Sequence, residues 1–160
     1  MRIIAVDPGT RLCGYATFVD GEPVAAGVAK SMPEDTLAQR AAYMARTIAL
    51  RCRFAPDVVV VERPVIYPDS RERDADIVDL AVTAGVVGGA LRARSTTSAP
   101  HNLIMPTPRE WKGSVPKKIH NERTREKCPA AVALVERDVP KGQRNHVWDA
   151  VGLALWQLGR

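Results

Sequence analysis

Residues 56–62 read Pro56-Asp57-Val58-Val59-Val60-Val61-Glu62: four consecutive β-branched side chains, opened by a turn dipeptide and closed by a carboxylate. Such a run without alternation is typical of a strand buried on both faces, as at the centre of a parallel sheet. A parallel neighbour requires a crossover connection, usually a helix, so helices are expected on either side in sequence. Upstream, from about Glu34 to Arg53, Leu37, Ala41, Met44, Ile48 and Leu50 mark the apolar side of one. Downstream, a polar loop from Arg63 to Arg73 leads to a second helix, about Asp74 to Arg94.

Further out, the chain opens with the apolar strand Arg2-Ile3-Ile4-Ala5-Val6-Asp7, ended by Pro8-Gly9. A second strand, about Cys13 to Val19, turns at Asp20-Gly21, a dipeptide that favours a tight hairpin, into a third from roughly Glu22 to Lys30. A short strand around Leu103 to Met105 precedes a loop and a helix interrupted near Pro129, and a helix from about Asn145 to Leu158 closes the chain. The order predicts an α/β fold. Its sheet is mixed and five-stranded, an antiparallel three-strand meander plus parallel strands, with helices on both faces. No repeat, low-complexity tract or linker divides the sequence, so residues 1–160 are expected to form a single domain.

Composition narrows the function. At 46% apolar and 26% charged residues the chain is globular rather than disordered. No apolar run approaches the ~20 residues of a membrane span, and Asp7 interrupts the amino terminus before a signal-peptide core could form. Cys13, Cys52 and Cys128 are odd in number and lack CxxC spacing, which argues against a disulfide framework or a zinc knuckle. A soluble, cytoplasmic protein is expected. Net charge is +5 and the pI about 9.4. Between Arg109 and Lys127, seven bases face three acids, which places four of the five net charges in one stretch. Concentrated basic surface suggests a polyanionic partner, usually nucleic acid. The plainer reading is a solvated helix face pairing Glu122 with Arg125 and Glu126 with Arg123.

If the Val58–Val61 strand lies parallel to and beside the first, Asp7 and Glu62 emerge at the same sheet edge, where α/β proteins commonly bind ligands. His146 and Asp149 are three residues apart at the start of the last helix, so their directions differ by about 60° and both can face one point. Each has an ordinary alternative: Asp7 bonding its own turn, Glu62 pairing with Arg63, Asp149 favoured by the helix dipole beside a surface His146. Together, three carboxylates and an imidazole would repel and shift one another without a cation. Hard oxygen donors with at most one nitrogen suit Mg²⁺ or Mn²⁺ better than zinc. Two such ions about 4 Å apart support phosphodiester hydrolysis, with the basic stretch holding the backbone.

Asp7-Pro8-Gly9-Thr10 with Gly14-Tyr15, then Val60-Val61-Glu62, then His146-Val147-Trp148-Asp149-Ala150 resemble the RuvC family of Holliday-junction resolvases, in that family's order and approximate spacing. The resemblance covers nearly the whole chain. It implies an RNase H-like fold, a homodimer, two divalent metals and symmetric nicking across a four-way junction. Carried over by position, the catalytic metal ligands are Asp7, Glu62, His146 and Asp149; some members have a carboxylate at the His146 position. Lysines after the fifth strand approach the scissile phosphate in the family, and Lys112, Lys117 and Lys118 are the candidates, with Arg123 as a further DNA contact. An aromatic wedge often stands three residues after the glutamate; here that position is Val65, and the nearest aromatic is Tyr67. Three other readings remain: a flap, fork or RNA–DNA hybrid nuclease on the same fold, a non-catalytic DNA-binding relative, and an actin-like or sugar-kinase ATPase fragment.

Overall fold

The structure is a computed structural model that describes residues 1–66, 74–95 and 102–160. Strands β1 (Arg2–Asp7), β2 (Leu12–Val19) and β3 (Glu22–Lys30) form the meander, and β4 (Val58–Val61) and β5 (Leu103–Ile104) complete one sheet in the order β3-β2-β1-β4-β5. Both meander pairs are antiparallel; β4 runs parallel to β1, and β5 parallel to β4. The hairpin turns at Asp20 (φ 50°) and Gly21 (φ 86°), the left-handed pair that a tight two-residue connection requires.

Helix α1 (Leu37–Cys52) begins three residues later than its apolar pattern suggests, because Thr36 and Gln39 close a capping box there. Leu50, expected on its apolar side, is instead 67% exposed. Helix α2 (Asp74–Arg92) lies beside α1, and both cover one sheet face. The basic stretch resolves into α3 (Pro108–Lys112), α4 (Lys117–Lys127) and, from Pro129, α5 (Pro129–Asp138). Short α3 is an element that the apolar pattern does not predict.

Helix α6 (Arg144–Gln157) packs across β1 and β2 on the other face, with α5 beside it on β3. The sequence pattern predicts burial for only one side of α6, that of Val147, Val151, Ala154 and Leu158. Instead all residues from Val147 to Leu155 are buried, since α3, α4 and α5 enclose the side away from the sheet.

Strand parity sets the position of the site. Ile3, Ala5 and Val60 face the α6 core, whereas Ile4, Val6, Val59 and Val61 face α1 and α2. With a period of two, Asp7 and Glu62 both fall on the α6 side. Ile77, Ala84, Val87 and Leu91 of α2 are buried on the chain's own core, while Val78, Val82 and Val86 remain exposed along its outer side. Among the described residues, no helix is long and apolar enough to cross a membrane.

Candidate active site at the carboxyl ends of β1 and β4

The β1–β4 register continues one residue past the strands: the Glu62 N–H donates to the Val6 carbonyl at 3.1 Å, which fixes Glu62 beside Asp7. On the other side Asp7 pairs with Gly14 of β2, and the first turn of α6 lies directly on that glycine. A Cβ at Gly14 would stand 2.2 Å from the His146 carbonyl oxygen. The bare backbone lets α6 come close enough for His146 Nδ1 to sit 2.8 Å from Asp7 Oδ2.

Each carboxylate is turned onto a cation or a donor. Asp149, 2% exposed, is ion-paired through Oδ2 with Lys117 Nζ. The Trp111 indole N–H donates to Glu62 Oε2 at 2.8 Å, and Lys112 Nζ lies 3.5 Å from the same oxygen. Burial raises the Asp7 carboxyl above its ordinary range, and the Asp149 charge adds to this against the His146 hydrogen bond and the His146 and Lys117 charges. Burial likewise raises Glu62, helped by Asp7 and Asp149 and opposed by Lys112 and Trp111. The hydrogen bond to Asp7 raises His146 despite its partial burial. For Lys117, burial acts downward, but the hydrogen bond and charge of Asp149, with Asp7 and Glu62, outweigh it and raise its pKa. The four candidate ligands therefore share one electrostatic site, in which Lys112 and Lys117 offset the carboxylates and His146 is hydrogen-bonded to Asp7.

In this arrangement no group of three acidic, histidine or cysteine side chains among the described residues converges tightly enough to hold a metal ion. The lysines and the indole engage one oxygen each of Glu62 and Asp149. The donor set nevertheless suits a hard divalent cation, and Asp149 Oδ1 is buried with no hydrogen-bond partner. The chemistry of the donor set, rather than its present spacing, therefore fits Mg²⁺ or Mn²⁺.

The basic residues divide. Lys112 and Lys117 touch the carboxylates, and Lys118 joins Lys117, Asn121, Glu122, Arg125 and Asn145 around an adjoining cavity of about 460 Å³. Arg123 lines a different cavity on the far side of Trp111. Tyr67 lies outside the described residues. Trp111 is a site residue that the sequence motifs do not point to. One signal for it exists: an indole N–H needs a partner when buried, and Trp111 is 7% exposed.

No protein-family model and no curated protein matches the chain. Among solved structures, a Thermus thermophilus RuvC structure is similar, with a TM-score of 0.63 and 19% identity over 99% of this chain and 93% of that one. T. thermophilus RuvC in complex with a Holliday junction substrate is similar at a TM-score of 0.65 and 23% identity, over 99% of this chain and 92% of that one. The likeness shows the fold: this chain has the RNase H-like architecture of those proteins.

Proposed function

We propose that this chain is a divalent-metal-dependent endonuclease of RuvC type that resolves four-way DNA junctions by paired, symmetric nicks. The observation that carries the reading is the convergence of Asp7, Glu62, His146 and Asp149 at one sheet edge, beside the basic α3–α4 segment. The fold supports it, since one RuvC structure sharing that fold holds a Holliday junction.

In this reading Asp7, Glu62, His146 and Asp149 would hold two Mg²⁺ or Mn²⁺ ions, whose chemistry when bound would be activation of a water and stabilisation of the leaving oxygen. Lys112 and Lys117, released from Glu62 and Asp149, turn to the backbone near the scissile phosphate. Lys118, Arg123 and Tyr67 complete the DNA contacts. A second copy of the chain covers the exposed Val78, Val82 and Val86 side of α2, where Gly85 and Gly89 are also exposed and permit close approach. The free, buried Cys13, Cys52 and Cys128 support a reducing, cytoplasmic setting.

Nicking rates on a mobile four-way junction, a flap and an RNA–DNA hybrid of matched sequence test the substrate. The junction should be cut fastest; faster cutting of the flap or hybrid replaces this reading with the other nuclease.

A further inference from the structure

Beyond Trp111, α3, α4 and the end of α6 enclose a second cavity of about 170 Å³. Lys112, Arg123, Lys127 and Arg160 line it beside Trp111 and Trp156, and no carboxylate side chain is among the lining residues. Arg123 and Lys127 stand one helical turn apart on exposed positions of α4, and among the described residues neither has an ion-pair partner. Arg160 donates one guanidinium N–H to the Gly21 carbonyl at 2.8 Å, and among the described residues its side chain has no other hydrogen-bond or ion-pair partner. Lys112 is already paired with Glu62, but Arg123, Lys127 and Arg160 are gathered with no carboxylate partner among the described residues; such cations repel one another, and a bound anion reverses that cost.

The wall is built rather than incidental. His120 meets the Trp111 ring edge-on at 4.8 Å, and Lys112 Nζ lies 4.7 Å over the same ring. Gly152 of α6 makes room for the pair: a Cβ there would stand 2.6 Å from His120 Nε2 and 2.8 Å from Trp111 Cζ3. Burial holds the His120 imidazole below its usual range, and Lys112, Lys127 and Arg123 add to this against Asp149.

We propose that this cavity is a phosphate site, divided from the catalytic edge by Trp111, that takes a backbone phosphate of a DNA arm. Its volume is well under the ~300–1,000 Å³ of pockets for whole small molecules, which suits a phosphate group rather than a nucleotide. The guanidinium forks of Arg123 and Arg160 suit a tetrahedral oxyanion, and the Lys127 ammonium adds to the charge that meets it. The DNA assignment rests on the nuclease reading; the phosphate chemistry does not.

The first test is a titration of the purified full chain with inorganic phosphate, followed by tryptophan fluorescence. A saturable change is expected, at least tenfold weaker in an Arg123→Gln/Lys127→Gln variant and unaltered in Lys118→Gln. Four-way junction DNA should compete with phosphate. The log–log salt slope of junction binding should become shallower in the double variant by about 0.9 for each phosphate no longer neutralised. No response to phosphate, or the same response in the double variant, overturns the site. A response that DNA leaves untouched overturns the assignment to DNA. A chain that binds phosphate here and cuts no DNA keeps the site and removes the nuclease reading.

Discussion

Asp7 and Glu62 leave adjacent parallel strands whose backbones are bonded to each other, whereas Lys112 and Lys117 reach the same edge from two short helices. The strand side is fixed three times over, by register, by parity and by Gly14 beneath α6. The helix side is looser. Helix α4 starts at Pro116 without a side-chain cap and buries only Asn121 and Thr124. The difference teaches a division of labour: the anions are held by strand register, and the cations sit on side chains of short helices; in the proposed function the anions would meet the metal and the cations would leave them. Here the lysines neutralise the carboxylates; on the proposed reading, DNA would offer the same lysines phosphate to neutralise instead.

Replacing a strand-held anion should have the largest effect. Asp7→Asn removes a ligand charge at almost constant volume, and junction cutting is expected to fall on the order of 10³-fold or more, the scale of losing a group central to the transition state. Junction binding should persist, since the basic residues are untouched. Mg²⁺-dependent cutting by rigorously purified Asp7→Asn would break the comparison at its rigid side.

The loose side should respond in binding. Lys117→Ala with Lys118→Ala should weaken binding across DNA sequences and flatten its salt dependence by about 0.9 for each phosphate that the two lysines neutralise. Lys117→Ala alone also leaves buried Asp149 without its partner, so the metal-free protein should melt at a lower temperature and Mg²⁺ should restore it. An unchanged salt slope in the double variant would return α4 to an ordinary solvated face.

The smallest effect is a pH shift where the two sides meet. Asp7 raises the pKa of His146, so the imidazolium persists to higher pH than usual, and a metal ligand must be neutral. Cutting should be low at mildly acidic pH and rise as pH passes through that raised value. The metal-free protein should show the opposite sign. The stabilising His146–Asp7 pair is lost as pH rises through the raised His146 value, and below about 6.5 it persists until Asp7 itself protonates. His146→Asp should keep substantial cutting and flatten the acid limb; an identical acid limb in that variant rules out His146 as its origin.

The same contrast explains what the sequence makes legible. Strands β1, β3 and β4 end where their apolar runs meet turn residues or carboxylates, and the Val58–Val61 run marks a buried parallel strand but leaves its place beside β1 open. Asp7 and Glu62 come together because one local pattern, strand parity, governs both. Short α3 is legible in principle, since Thr107, Pro108 and Glu110 form a capping box with proline at its first helical position. The contact from Trp111 to Glu62 joins residues 49 apart in sequence through α3, and no local periodicity announces it. The full burial of α6 depends in the same way on α3, α4 and α5 closing over it.

Strand-resolved mapping of cuts on a synthetic four-way junction in Mg²⁺ tests the central claim most directly. Two cuts at symmetry-related positions on opposite strands, abolished together by Asp7→Asn, are the expected result. An uncut junction, or single nicks with no symmetric partner, would contradict the account.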